Sequence, residues 1–178
     1  MTAEPAYNTI VVDPPWAISM AGGGRNVRHS KKFPKALPYK TMTQDEIRAF
    51  PLSQWAAPGA HVYLWTTSKM LHEAFHVLEG WGVSFHLALP MVKTSGIAPA
   101  MGYVFGSEFC LLGFYGRPMQ RFKDIGALNW LTVNPTSGQH SRKPDIFYDL
   151  VERMSPGPYI DLFARRRRLG WDAWGDEV

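Results

Sequence analysis

Two hydrophobic periods alternate along the chain. Short runs of β-branched, aromatic and aliphatic residues, the pattern of buried strands, fall at 9–12, 60–66, 83–92, 108–115, 159–163 and 170–174. Helical spacing appears between them. Leu71, Ala74, Phe75 and Leu78 predict a helix over 68–81, closed by Gly80 and Gly82. Thr43-Gln44-Asp45-Glu46 matches a capping box and predicts a short helix running to about Phe50. Lys143-Pro144-Asp145 opens a third helix, with Pro144 suited to its first turn. Ile146, Phe147, Leu150, Val151 and Met154 supply its apolar face, and Ser155-Pro156-Gly157-Pro158 ends it.

Segments 17–42, 94–106 and 119–140 follow neither period and read as loops. The first contains Gly22-Gly23-Gly24 and is long enough to suggest a functional segment. Strands alternating with helices predict an α/β fold with a mostly parallel sheet. Ligands of such sheets bind at the carboxyl ends of the strands. Asp13 follows the first strand directly and precedes two prolines that must turn the chain, so it stands where chemistry is expected.

Composition adds class and compartment. At 178 residues and 46% apolar content the chain suits a single domain with one sizeable core, spanning 1–178 without a separate target-recognition domain. No apolar run approaches a membrane span, and the N-terminus has no secretory pattern. The single cysteine, Cys110, excludes an intrachain disulfide and a cysteine-rich zinc site, as in a reducing cytoplasm. The net charge is +4, and its distribution says more. Between Asp13 and Asp45 there is no acidic residue, while Arg25, Arg28, His29, Lys31, Lys32, Lys35 and Lys40 are all basic. A second basic run covers Arg165 to Arg168. Two such clusters suit either a polyanion or solvated loops.

Asp13-Pro14-Pro15-Trp16 carries the candidate chemistry. The lone pair of an exocyclic amino nitrogen on a purine is conjugated into the ring, so the amine is a poor nucleophile. Two acceptors facing its N–H groups would draw it toward a reactive geometry. The Asp13 carboxylate supplies one acceptor and a backbone carbonyl held by the prolines, that of Pro14, supplies the other. This is catalysis by positioning. Trp16 offers a face on which an extruded base could stack. The same four residues also suit a strand end, a polyproline turn and a tryptophan filling core.

A second motif competes. His72-Glu73-Ala74-Phe75-His76 matches H-E-x-x-H, which binds zinc when a helix presents it. Here the predicted apolar face turns both histidines to a flank or the surface, and no third ligand stands at zincin spacing. The pair therefore reads as surface histidines, and no catalytic metal is expected.

With Leu37-Pro38-Tyr39-Lys40-Thr41-Met42, Leu64-Trp65-Thr66-Thr67, Val92-Lys93-Thr94, His140-Ser141-Arg142-Lys143-Pro144-Asp145, Asp161-Leu162-Phe163-Ala164-Arg165 and Gly170-Trp171-Asp172-Ala173-Trp174-Gly175-Asp176-Glu177 following Asp13-Pro14-Pro15-Trp16 in that order, the chain resembles the MT-A70 family of adenine N(6)-methyltransferases. The resemblance implies a Rossmann-like class I methyltransferase fold, circularly permuted so that the catalytic strand precedes the cofactor-binding strand. It implies S-adenosyl-L-methionine as cofactor, held by Asp13, Pro14, Lys143, Arg165, Arg167, Asp176 and Glu177. The run Arg165 to Arg168 would divide between cofactor and phosphate. Trp16, Tyr39, Lys93 and Glu108 would face the substrate. This chain has Asp176 and Arg167 where the family often has other polar residues, which weakens those two assignments.

These readings lead to methylation of the adenine amino group in a nucleic acid. DNA is favoured over RNA, since a compact chain resembles bacterial and phage DNA methyltransferases. A non-catalytic nucleic-acid-binding subunit is the alternative class, although such pseudo-enzymes typically lack the catalytic tetrapeptide kept here. A monomer or a homodimer is expected, with no membrane partner.

Overall fold

The computed structural model describes residues 7–17, 40–94, 98–99, 104–118, 121–134, 143–175 and 178. Within them run β1 (Tyr7–Val12), α1 (Gln44–Arg48), β2 (Ala56–Thr67), α2 (Leu71–Gly80), β3 (Val83–Lys93), β4 (Ala98–Pro99), β5 (Val104–Phe105), β6 (Ser107–Tyr115), β7 (Leu131–Val133), α3 (Asp145–Met154), β8 (Tyr159–Leu162) and β9 (Trp171–Trp174). Seven strands form one sheet in the order β7-β3-β6-β2-β1-β8-β9. All neighbours pair parallel except β6, which runs antiparallel to both β2 and β3. The expected α/β class with a mostly parallel sheet is the one observed.

The sheet separates two apolar layers by strict alternation. Ile10, Val12, Val62, Leu64 and Leu111 belong to one core cluster, with Ile47 of α1 and Ala74, Val77 and Leu78 of α2. The intervening Val11, Tyr63, Trp65, Cys110 and Leu112 belong to the other, with Phe147, Tyr148 and Val151 of α3. Side chains of a strand point alternately to opposite faces, so each central strand serves both layers and reads as continuously apolar. That is why β1, β2 and β6 are apolar over most of their length.

Several element ends differ from expectation for identifiable reasons. β2 begins at Ala56 rather than Ala60. Pro58-Gly59 resembles a turn, but here it lies in an irregularity of the β1–β2 ladder, where pairing jumps from Tyr7↔Ala56 to Thr9↔His61. Gly59 has φ 74°, a conformation glycine adopts without strain. The helix expected over 68–81 starts as a 3₁₀ turn at Ser68–Met70 before α2 proper. β7 was not anticipated, because three residues at a sheet edge carry too little periodicity. The segment expected to be a loop over 94–106 contains the two-residue ladder β4–β5. The capping box is present: Glu46 N–H donates to Thr43 Oγ1 at 3.2 Å, and Thr43 N–H donates to Glu46 Oε2 at 2.7 Å. No helix among the described residues is long and apolar enough to cross a membrane.

Polar groups also tie α3 to the sheet. Ser155 follows α3 directly, and its Oγ lies 2.7 Å from His61 Nδ1 and 2.8 Å from the Tyr63 hydroxyl, with all three residues buried. Ser155→Ala takes one partner from each neighbour without changing the backbone. It is expected to cost about 1–3 kcal/mol. The check is urea unfolding, which should show a lower midpoint with an unchanged slope.

Candidate active site

The antiparallel placement of β6 determines what meets at one edge of the sheet. The carboxyl ends of β1, β2, β3 and β8 all lie there. An antiparallel strand brings its beginning to the same edge, so Glu108, the second residue of β6, pairs with Thr67 and Met91. Asp13 extends β1 by one residue, its N–H donating to the Leu162 carbonyl at 3.2 Å. From β1 the chain continues to β2 on one side and later reaches β8 on the other. Asp13 therefore occupies the point where strand order reverses.

Lys143, just before α3, projects its ammonium into this edge. Nζ lies 3.0 Å from Asp13 Oδ2 and 3.3 Å from Glu108 Oε2, and 4.9 Å from the centre of the Trp65 ring. The other oxygen of Glu108 takes the ammonium of Lys93. Carboxylates and ammoniums thus alternate as Asp13–Lys143–Glu108–Lys93. Burial opposes the charge on Lys143, yet Asp13 and Glu108 hold its pKa above the usual lysine range. Burial also opposes ionisation of Glu108, but Lys143 and Lys93 outweigh it and hold the carboxyl below its ordinary value. For Asp13 burial prevails over Lys143, and the carboxyl is pushed up.

Beside this chain lies a small pocket lined by Asp13, Lys143, Tyr148, Asp161, Phe163, Ala164, Arg165 and Arg166. Its far wall is the turn after β8. Phe163 there has φ 62°, unusual for an aromatic residue. The conformation is held from both sides. The Phe163 ring packs 5.1 Å from Phe50 and 5.3 Å from Trp174 between centroids, and Ala164 N–H donates to the Trp174 carbonyl at 3.0 Å. Gly175 lies so close that a Cβ there would stand 2.7 Å from the Ala164 carbonyl oxygen.

Asp161 is the functional candidate that the sequence reading did not single out. It is 7% exposed and accepts a 2.7 Å hydrogen bond from the Tyr148 hydroxyl on Oδ2. Burial pushes its pKa up to about 7. Its other oxygen, Oδ1, is buried without a hydrogen-bond partner among the described residues, as are Trp65 Nε1 and Thr67 Oγ1. All three atoms belong to the strands that meet at this edge. Such orphaned polar groups are rare in native structures, and each calls for a water, an ion, a ligand or a catalytic role to account for it.

The tetrapeptide loop is stiff. Trp16 N–H donates to the Pro14 carbonyl at 2.8 Å, closing a tight turn over Pro15, and Met42 N–H donates to the Pro15 carbonyl at 2.8 Å. The Pro14 carbonyl keeps its second lone pair. The stacking role expected for Trp16 is corrected. The residue is 5% exposed, belongs to the core, and donates Nε1–H to the Trp65 carbonyl at 2.9 Å. It clamps the loop to β2 and presents no open face.

The arginine run is corrected in part. Arg168 pairs with Asp145, Asp149 and Glu152, and Arg166 pairs with Asp145. These side chains bind the acidic ridge of α3, so the expected allotment of some to phosphate does not hold for them. Arg165 lines the pocket; Arg167 is exposed and Arg166 lines the pocket in its stead. Tyr39, Asp176 and Glu177 lie outside the described residues. Lys93 and Glu108 join the central ion chain. His72 and His76 are exposed on α2, and no group of three or more possible metal ligands gathers among the described residues.

The pKa of Asp161 has a consequence for stability. The folded chain keeps this proton up to about pH 7, whereas an unfolded chain releases it near pH 4. Stability therefore falls as pH rises through that window. Asp161→Asn keeps an acceptor for Tyr148 and is expected to flatten this part of the profile, measured by urea unfolding at closely spaced pH values. An equal slope in the variant would assign the proton to another group.

The chain is similar in sequence to known proteins. A family model described as MT-A70 matches residues 7–177. A Medicago truncatula protein named MT-A70-like is 30% identical over 183 residues, which are 97% of this chain and 26% of the relative. The N(6)-adenosine-methyltransferase catalytic subunit METTL3 of Homo sapiens is 28% identical over 182 residues, 97% of this chain and 28% of the relative. The N(6)-adenine-specific methyltransferase METTL4 of Homo sapiens is 26% identical over 194 residues, 97% of this chain and 37% of the relative. The chain thus spans between about a quarter and somewhat over a third of the length of these relatives. MT-A70 methyltransferases use S-adenosylmethionine as methyl donor. With the family model matched from β1 to beyond β9 on an α/β sheet that sets Asp13-Pro14-Pro15-Trp16 at its strand-order reversal, the chain belongs to the MT-A70 family.

Proposed function

We propose that this chain transfers a methyl group from S-adenosylmethionine to the exocyclic amino group of adenine in DNA, through a site in which Asp13 is the central catalytic residue. The observation that carries the reading is the Asp13 carboxylate, held 3.0 Å from a buried ammonium beside a pocket whose wall contains Asp161 Oδ1, which has no hydrogen-bond partner among the described residues. The pocket residues fit the methyl donor. Lys143 and Arg165 suit its carboxylate, and Asp161, once ionised, suits its ammonium through Oδ1. Asp176 and Glu177 would follow toward the ribose and adenine. The order of the chain, with Asp13 directly after β1 and this pocket after β8, supports the reading of a permuted methyltransferase fold.

The donor supplies an electrophilic methyl group on a sulfonium, and the protein supplies geometry. Asp13 accepts one N–H of the adenine amine and the free lone pair of Pro14 accepts the other, which frees the nitrogen lone pair for in-line attack. Trp16 holds that loop from below through the Trp65 carbonyl. Lys143 keeps the Asp13 carboxylate oriented, and Glu108 with Lys93 keeps Lys143 in place. The raised pKa of Asp13 makes it a competent acceptor for the proton that the amine releases, with water as the final sink. The basic stretch from Arg25 to Lys40 suits the phosphate backbone of the substrate.

RNA is the second reading, favoured by the name N(6)-adenosine-methyltransferase that METTL3 carries. Transfer of tritiated methyl groups to single- and double-stranded DNA and RNA, followed by nucleoside analysis, separates the two. Label in N(6)-methyldeoxyadenosine is the expected outcome, and label confined to N(6)-methyladenosine would establish the RNA reading. Asp13→Ala should lower transfer by about 10²–10³-fold. Full activity in that variant would overturn the assignment.

Gly175→Ala should weaken donor binding while leaving the fold intact, because the added methyl group must displace the Phe163–Ala164 turn. Calorimetric titration with S-adenosylhomocysteine measures this effect. Unchanged affinity would remove the turn from the donor site.

A further inference from the structure

The H-E-x-x-H sequence of α2 takes no part in the site described above, yet its two histidines converge. His72 Nε2 and His76 Nε2 stand 3.2 Å apart, with the rings 4.6 Å apart between centroids and tilted by 83°. The spacing of four residues places both on one face of the helix. Glu79 Oε2 lies 3.4 Å from His76 Nδ1.

We propose that His72 and His76 form a two-histidine chelate for a single borderline divalent cation such as zinc, nickel or copper. Zn–N bonds of about 2.0–2.1 Å at a tetrahedral angle separate two ligand nitrogens by about 3.3 Å. The observed separation of 3.2 Å already matches that bite distance. Without a cation, one Nε2–H donates to the other Nε2, so the two ring nitrogens already face one another. Binding selects the tautomer in which each neutral ring carries its proton on Nδ1, the Nε2 proton moving there by exchange with water, so that both Nε2 atoms offer lone pairs. Glu79 favours this state, because a carboxylate facing Nδ1 keeps the proton on Nδ1 and frees Nε2, as carboxylates do behind many metal-bound histidines.

The site differs from a zincin centre. No group of three or more His, Cys, Asp or Glu side chains gathers among the described residues, so water completes the coordination and the ion exchanges readily. Imidazole nitrogens select zinc, nickel and copper over magnesium and calcium, which prefer oxygen. The His76 side chain is 49% exposed, so an ion reaches it from solvent without rearrangement. The site is independent of methyl transfer and stands or falls apart from it.

The test is calorimetric titration of tag-free full-length protein with zinc and with nickel chloride, with magnesium chloride as the hard-cation control. One ion per chain is expected for zinc and nickel, and none for magnesium. His72→Gln and His76→Gln should each weaken zinc binding by at least about tenfold, and Glu79→Gln by about tenfold. His86→Gln, which alters an exposed histidine on β3, should leave it unchanged. Circular dichroism should show all variants folded, since each changes an exposed side chain. Undiminished zinc binding in the His72→Gln/His76→Gln double variant, or no binding by the unaltered chain, overturns the proposal.

Discussion

The buried ammonium of Lys143 is the interaction on which the rest of the site depends. Its side chain is 10% exposed, and a charge so withdrawn from water costs several kcal/mol unless opposite charge surrounds it. Asp13 from the end of β1, Glu108 from the start of β6 and the face of Trp65 from β2 together supply that surrounding. Each arrives only if its strand is in register, and Glu108 arrives only because β6 runs backwards. Lys93 adds a fourth charge, so each member of the row Asp13–Lys143–Glu108–Lys93 has an opposite neighbour.

The same logic explains why the pocket wall is rigid on its outer side. The turn after β8 carries an aromatic residue in the left-handed region, which is unfavourable in isolation. Phe50 and Trp174 pack its ring, and Gly175 leaves room for its backbone. Beyond the turn, Arg166 and Arg168 bind the acidic ridge Asp145, Asp149 and Glu152 of α3. Lys143 precedes that same helix. The arginine run therefore fastens the segment after β8 to the helix whose leading residue enters the active site.

Much of this was legible in local pattern. The β-branched run before Asp13, the capping box at Thr43 and the apolar face of α3 each act within a few residues, so their signals survive in sequence. The start of β2 escaped because Pro58-Gly59 sits in a ladder irregularity, where residues typical of turns carry no strand period. β7 escaped because an edge strand of three residues has no period to detect. Trp16 illustrates a different limit. A tryptophan after two prolines can stack a base or fill a core, and only the Trp65 carbonyl and the neighbouring apolar layer decide between them. Asp161 escaped as well, because its partner Tyr148 and its burial come from elements distant in sequence.

Sequence by itself determined the alternation of strands and helices, the stiff turn after Asp13 and the order of motifs that identifies the family. These are properties of short stretches, in which sterics and hydrophobic period act locally. Tertiary structure alone decided which charges meet. Asp13, Glu108 and Lys143 are scattered along the chain, and nothing in their local surroundings states that one carboxylate will have its pKa raised and the other lowered. That outcome follows from burial and from distances of a few ångströms, which exist only once the strands are paired.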